Sequence, residues 1–291
     1  MELTQLFVDV DDFCIAYQRF FASHALSSST QKRGRKPMMH TSEIMAILIW
    51  FHQQRYQNFQ AYYVHHVQVF MRKEFPCLPS YSRFVELAQH VIEPLSLFFH
   101  MCRCVKSNTV SFIDSLPLPV CHNRRIYSHR VFADIAGRGQ SSMGWFFGLK
   151  LHAMITPKGD FVSCTLSSAN VHDVNSDILH TLLQYGRPTQ RVQGILVGDR
   201  GYINKSLTKE LAEHGIRLLT YIRKNMKPKL MAVKDHALLK KRMLIECCFD
   251  ILVHSMVIRH SRYRSVKSMI ATVFSGLIAY SYLDKKPSTA I

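Results

Sequence analysis

TVSFIDSLPLPV, Thr109–Val120, sets a β-branched and aromatic run against one carboxylate, Asp114. Val, Phe and Ile favour a pleated, half-buried strand, and Pro117 and Pro119 are expected to stop sheet pairing just beyond the acid. A carboxylate at the carboxyl end of a strand is where ligand chemistry gathers in α/β sheets. Working outward, Trp145–Thr156 (WFFGLKLHAMIT) reads as a strand, PKGD as a turn and FVSCTL as the returning strand. His172–Leu183 is helix-like, Gln193–Val197 is a strand running into GDRGY, Lys205–His214 is helical and LLTYI is a further strand. From Ala237 the chain reads as helix with one basic break. Strand, hairpin, helix, strand, helix, strand, helices describes an α/β core with mixed strand directions.

Upstream, the pattern is helical. Glu43–His52 (EIMAILIWFH) follows Thr41 and Ser42, either of which could cap it. Tyr81–Leu87 and Val91–Cys102 continue the helical texture, with Pro94 expected to delay the start of the second. The change of texture places a boundary near residue 105, dividing the chain into 1–105 and 106–291.

With 291 residues, 47% apolar, the chain can bury a substantial core. Its longest charge-free apolar stretch, Ser268–Leu283, is too short and too often interrupted by Ser, Thr and Gly for a membrane span, so no membrane association is expected. The opening MELTQLFVDVDDF carries acids where an export leader carries a basic patch. The eight cysteines form no recognisable disulfide grid or zinc spacing, which fits a reduced, cytoplasmic protein. Lys and Arg number 37 against 20 Asp and Glu, a formal charge of +17 that attracts polyanions, nucleic acid first.

Asp199 ends a second strand, in ILVGDRGY, with Gly198 and Gly201 allowing close backbone approach. Two aspartates at neighbouring strand ends can share a hard cation. Metal ions so held can activate water or a 3′ hydroxyl against a phosphodiester, and magnesium suits carboxylates better than the nearby thiols and imidazoles. A third carboxylate comes from KKRMLIECCFD, as Glu246 or Asp250, which periodicity alone does not separate. Arg242 lies four residues before Glu246 and on its face, where a guanidinium could orient the carboxylate or bind phosphate.

The ordered blocks FIDSLPLPVC, GWFFGLKLHAMITPKGD, SSANVHD, GDRGYI and KRMLIECCFDILVHSMVIRHSRYRS, followed by GLIAYS, together resemble the DDE transposases of bacterial insertion sequences. The resemblance spans roughly Phe112 to Ser281. It implies an RNase H-like mixed sheet flanked by helices, with a helical amino-terminal region. It implies the metal ligands Asp114, Asp199 and Glu246, preferring Glu246 over Asp250, with Arg242 beside them in a catalytic role. Mg2+ is the implied ion, with Mn2+ as substitute. The implied reaction cuts DNA at element ends and joins the 3′ hydroxyl to a target. Residues 1–105 would then serve end binding or assembly.

The implied partners are double-stranded DNA with terminal inverted repeats, target DNA and further copies of the chain, in a homodimer or larger assembly at the bacterial nucleoid. Two departures stand out. A lysine common seven residues after the glutamate is Val253 here, and a tyrosine common seven residues before it is Leu239. A nuclease that does not join, or a decayed DNA-binding copy, are the rival readings.

The cations able to hold DNA fall in three clusters. Lys32, Arg33, Arg35 and Lys36 lie in QKRGRKP; Lys227, Lys229 and Lys241 belong to the basic run Arg223–Arg242; Arg259, Arg262 and Arg264 belong to RHSRYR. In the last, Tyr263 could stack on an unpaired base or pack against the protein.

Overall fold

The computed structural model describes residues 2–24, 38–54, 56–107, 109–184, 192–222, 226, 231–260 and 263–290. Lys32, Arg33, Arg35, Lys36, Lys227, Lys229 and Arg262 lie outside the described residues. The chain divides into two compact units. One joins residues 1–99 to 255–258 and 267–284, and the other joins 100–254 to 259–266 and 285–291.

The first unit is helical. It holds α1 (Leu3–His24), α2 (Thr41–Phe51), α3 (Phe59–Tyr62), α4 (Gln68–Phe70), α5 (Tyr81–Ala88) and α6 (Ile92–Phe98), with a π-helical turn, Tyr63–Val67, between α3 and α4. α2 is apolar nearly all round and buries Ile44 to Ile49 without a gap, as a central helix does. Its cap is neither Thr41 nor Ser42, which lie inside it; His40 is extended, and its N–H donates to Glu43 Oε2 at 2.6 Å. Ser80 caps α5 as a hydroxyl acceptor for Arg83 N–H. Pro94 does not delay α6, because it falls in the first turn, where a missing N–H costs no helical bond.

The helix α11 (Val266–Ser281) lies on the far side of the expected division at residue 105. All but its first residue belong with the amino-terminal helices. Its apolar side chains Met269, Val273, Leu277 and Ile278 are buried, and Gln53 Nε2 donates to the Ala279 carbonyl at 2.8 Å. Among the described residues no helix is long and apolar enough to cross a membrane.

The second unit is the expected mixed α/β sheet flanked by helices. It contains β1 (Val110–Pro119), β2 (Gly137–Ser141), β3 (Gly144–Ile155), β4 (Phe161–Ser168), α7 (Ser176–Gln184), β5 (Gly194–Val197), α8 (Lys205–Glu213), β6 (Ile216–Leu219), α9 (Val233–Lys240) and α10 (Met243–Asp250). The sheet order is β2-β3-β1-β5-β6, with β4 also on β3. β1 runs antiparallel to β3 and parallel to β5, which is parallel to β6. Ile113, Met154, Val162 and Leu196 of the sheet meet Leu179, Leu182, Leu207 and Leu211 of α7 and α8 in one buried cluster.

Pro117 and Pro119 do not end the pairing, contrary to expectation: β1 continues opposite β3 as far as Pro119 and Gly148. The reason is parity. Val120 N–H donates to the Phe147 carbonyl, so in the antiparallel alternation the even-numbered residues of β1 bond to β3 and the N–H sides of 117 and 119 face away. The strand on that side, β5, pairs only with Val110–Phe112. A proline therefore removes no ladder bond at either position.

Candidate active site

Asp114 does not end its strand. It lies within β1, opposite Ala153 of β3, at the level where β1 loses its other neighbour. The last parallel pair is Phe112 with Val197. Asp114 and Asp199 each lie two residues beyond that pair, on adjacent chains. The segment after Val197 turns at once: Asp199 caps the 3-10 turn Arg200–Tyr202 and accepts Gly201 N–H at 2.7 Å.

Gly198 leaves room for side chains packed against this turn. A Cβ there would lie 3.0 Å from Tyr202 Cδ2 and 3.2 Å from Ile113 Cγ2. The Tyr202 ring is thus wedged against the residues immediately before both aspartates. Its hydroxyl is buried and has no hydrogen-bond partner among the described residues. Burial pushes its pKa well above the ordinary range, and Asp173, Asp114 and Asp199 push the same way.

The third carboxylate reaches the first through an arginine. Arg242 Nη1 donates to Asp114 Oδ2 at 2.7 Å, and Nη2 donates to Glu246 Oε1 one turn along α10. Burial raises the Asp114 carboxyl to about 6; Ser115 N–H, at 2.8 Å, and Arg242 oppose the rise, and Asp199 and Glu246 add to it. Arg242 is raised in turn by Asp114, Glu246 and Asp199, against the opposing effect of its own burial. Asp250 is exposed one turn beyond Glu246.

Among the described residues no three His, Cys, Asp or Glu side chains stand close enough to hold an ion together. The guanidinium bridges Asp114 and Glu246 instead. The donor chemistry nevertheless suits a hard divalent cation: Asp199 and Glu246 both raise the Asp114 carboxyl, and carboxylates that repel one another favour a cation among them.

Residues 104–266, more than half of the chain, match the family model described as transposase DDE domain. The chain belongs to the DDE transposases. Members of this family generally use divalent metal ions. No curated protein sequence matches the chain. The solved structures it resembles include a piggyBac transposase synaptic complex with hairpin DNA, at 13% identity and TM-score 0.47, covering 89% of this chain and 71% of that one. They also include the Mos1 transposase paired-end complex with left transposon end, at 13% and 0.31, covering 91% and 82%. The Mos1 strand transfer complex is similar at 12% and 0.30, covering 92% and 83%. Family membership rests on the sequence match.

The departures at the glutamate helix also look different in three dimensions. Val253 lies in a π-helical turn, Ile251–Ser255, so a spacing of seven from Glu246 no longer means two turns along one face. Leu239 is buried. Of the described candidate cations, Lys241 donates to the Ala290 carbonyl, Arg259 is half-buried and Arg264 is exposed. Tyr263 is buried and stacks on His260, which removes it as a platform for a base.

Lys150 on β3 and Asp173, which the sequence did not single out, form a further polar group. Lys150 Nζ donates to Asp173 Oδ1 and to the Val171 carbonyl, both at 3.0 Å, tying the loop after β4 to the sheet. His152, fully buried, shares a 2.8 Å hydrogen bond with Ser167 and stands 3.8 Å from Asp173. Burial lowers its pKa to about 4.

Proposed function

We propose that this chain cuts DNA at the ends of an insertion sequence and transfers the 3′ hydroxyl into target DNA. The observation that carries this reading is the bridge from Asp114 through Arg242 to Glu246, at the point where β1 outruns β5, inside the stretch that matches the transposase DDE domain. Asp114, Asp199 and Glu246 would hold Mg2+, with Mn2+ as substitute. Such ions supply activation of the attacking oxygen and stabilisation of the leaving one. Arg242 orients Asp114 and Glu246 and compensates their charge until the ions bind. The carboxyl of Asp114, raised to about 6, must be deprotonated to serve as a ligand.

The partner in this reading is double-stranded DNA bearing terminal inverted repeats, together with target DNA, drawn by the formal charge of +17. Residues 1–105 would bind ends or assemble copies. Two ends must meet, so the working form is a homodimer or larger, acting at the bacterial nucleoid.

The test incubates labelled element-end duplex with the chain and Mg2+, reading nicking and joining separately. Asp199→Asn is expected to abolish both while leaving DNA affinity largely intact, because it removes an anionic ligand at nearly constant shape. Full activity in that variant would sink the assignment. Nicking without any joined product would select a nuclease.

A further inference from the structure

The end of the sheet away from the carboxylates carries a surface that the reaction above does not use. The turn from β2 to β3 presents Met143 at 89% and Trp145 at 63% exposure, and the neighbouring 3-10 turn Asn123–Ser128 presents Tyr127 at 90%. Large side chains this bare give up the stabilisation of burial. They are also held in place. Asn123 Nδ2 donates to the Trp145 carbonyl at 2.6 Å, which joins the two turns into one surface. The Arg138 guanidinium lies 5.3 Å from the centre of the Tyr127 ring and donates to its hydroxyl at 3.0 Å.

Charge and orientation identify what this surface meets. Between His122 and Trp145 there are four arginines, 124, 125, 130 and 138, and one acid, Asp134; all four arginines are exposed. Orientation follows from the register. Asp114 is directly opposite Ala153, Arg138 opposite Phe147, and Gln140 opposite Trp145. Alternation along β3 then puts Trp145 and Arg138 on the face of the sheet that bears Asp114. Trp145 is eight residues along β3 from Ala153. At roughly 3.3 Å per residue that is about 26 Å, or about eight nucleotides of a strand at 3.4 Å each.

We propose that this face is a second DNA-binding surface, in which Arg124, Arg125 and Arg138 hold phosphates about eight nucleotides from the scissile one and Trp145 stacks on an unpaired base. The inference rests on the transposase reading for the placement of the DNA. Arginine and exposed aromatic rings suit a strand with bases out of the duplex, since every base offers a face for stacking and the backbone supplies the anion.

The test measures affinity without divalent metal over a series of salt concentrations. Its probes are an intact duplex and the same duplex with a short unpaired stretch. The double variant Arg124→Ala/Arg138→Ala is expected to weaken binding to both and to flatten the dependence of log affinity on log salt by about two, close to 0.9 for each phosphate no longer neutralised. Trp145→Ala is expected to weaken the unpaired probe roughly tenfold and the duplex little, and Trp145→Phe to restore most of the affinity.

Unchanged salt slope and unchanged probe preference in these variants would overturn the proposal. So would unchanged DNA binding with weakened self-association, which would make the surface an interface between copies. Because no cleavage is read, failure of the transposase reading shows separately, as a wild-type chain that binds DNA but neither nicks nor joins it with Mg2+.

Discussion

Arg242 joins two carboxylates that repel each other and lowers the pKa of one of them. Removing its charge raises the Asp114 carboxyl further, since its attraction opposes the dominant effect of burial. In Arg242→Gln the acid limb of the cleavage rate is therefore expected to move to higher pH, with the rate at low pH hit hardest. A pH profile that only scales down, without moving, would make Arg242 a phosphate ligand rather than the organiser of Asp114. Gly198 sets the same pair of aspartates sterically. Gly198→Ala places a methyl against the Tyr202 ring and Ile113, an overpacking worth about 1–3 kcal/mol. The expected outcome is a lowered thermal midpoint and slower cleavage. The double variant with Tyr202→Leu should recover part of the stability, and its failure to do so would show that the ring is not the obstacle.

At the scale of elements, the prolines of β1 separate local chemistry from sheet context. Pro117→Val is expected to change stability little, since its N–H side has no strand partner, whereas Leu118→Pro removes a bond to β3 and should cost about 3 kcal/mol or more. Equal losses in urea unfolding would refute the parity argument. The sequence alone could not reveal this, because which neighbour lies on which side of a strand is a non-local fact. The same limit hid β2. Its sequence, GRGQS, has no strand pattern and forms by pairing with β3, where a Cβ at Gly139 would lie 2.5 Å from the Ala169 carbonyl. The hairpin of β3 and β4, by contrast, was legible from its two strand-like runs and the PKGD turn between them. Asp114 and Asp199 could be singled out as candidates from strand and motif. The linkage through Arg242 needed the third dimension, and the π-helical turn around Val253 broke the spacing rule used to read that helix.

For the whole molecule, the return of α11 to the amino-terminal helices makes their unit discontinuous in sequence, so it closes only when the far end of the chain arrives. His52 marks that closure. Its ring is buried and bonded to the Met256 carbonyl through Nδ1 and to Ser275 Oγ through Nε2, at 2.8 Å for the latter. Burial lowers its pKa to about 4, against a partial opposing effect of the Met256 carbonyl. The folded ring stays neutral while the unfolded one, with an ordinary value near 6.5, takes up a proton. Stability is therefore complete above about pH 6.5 and is lost as pH falls towards 4, by about 2 kcal/mol at pH 5 from this residue alone. His52→Asn should lower stability at pH 7.5, where it loses packing and a hydrogen bond, yet shrink the further loss between pH 7.5 and pH 5 by about that amount. Urea unfolding of the full chain at both pH values measures the difference. If wild type and variant lose the same free energy over that interval, His52 does not carry the acid sensitivity of the helical unit, and the closure by α11 is indifferent to its protonation.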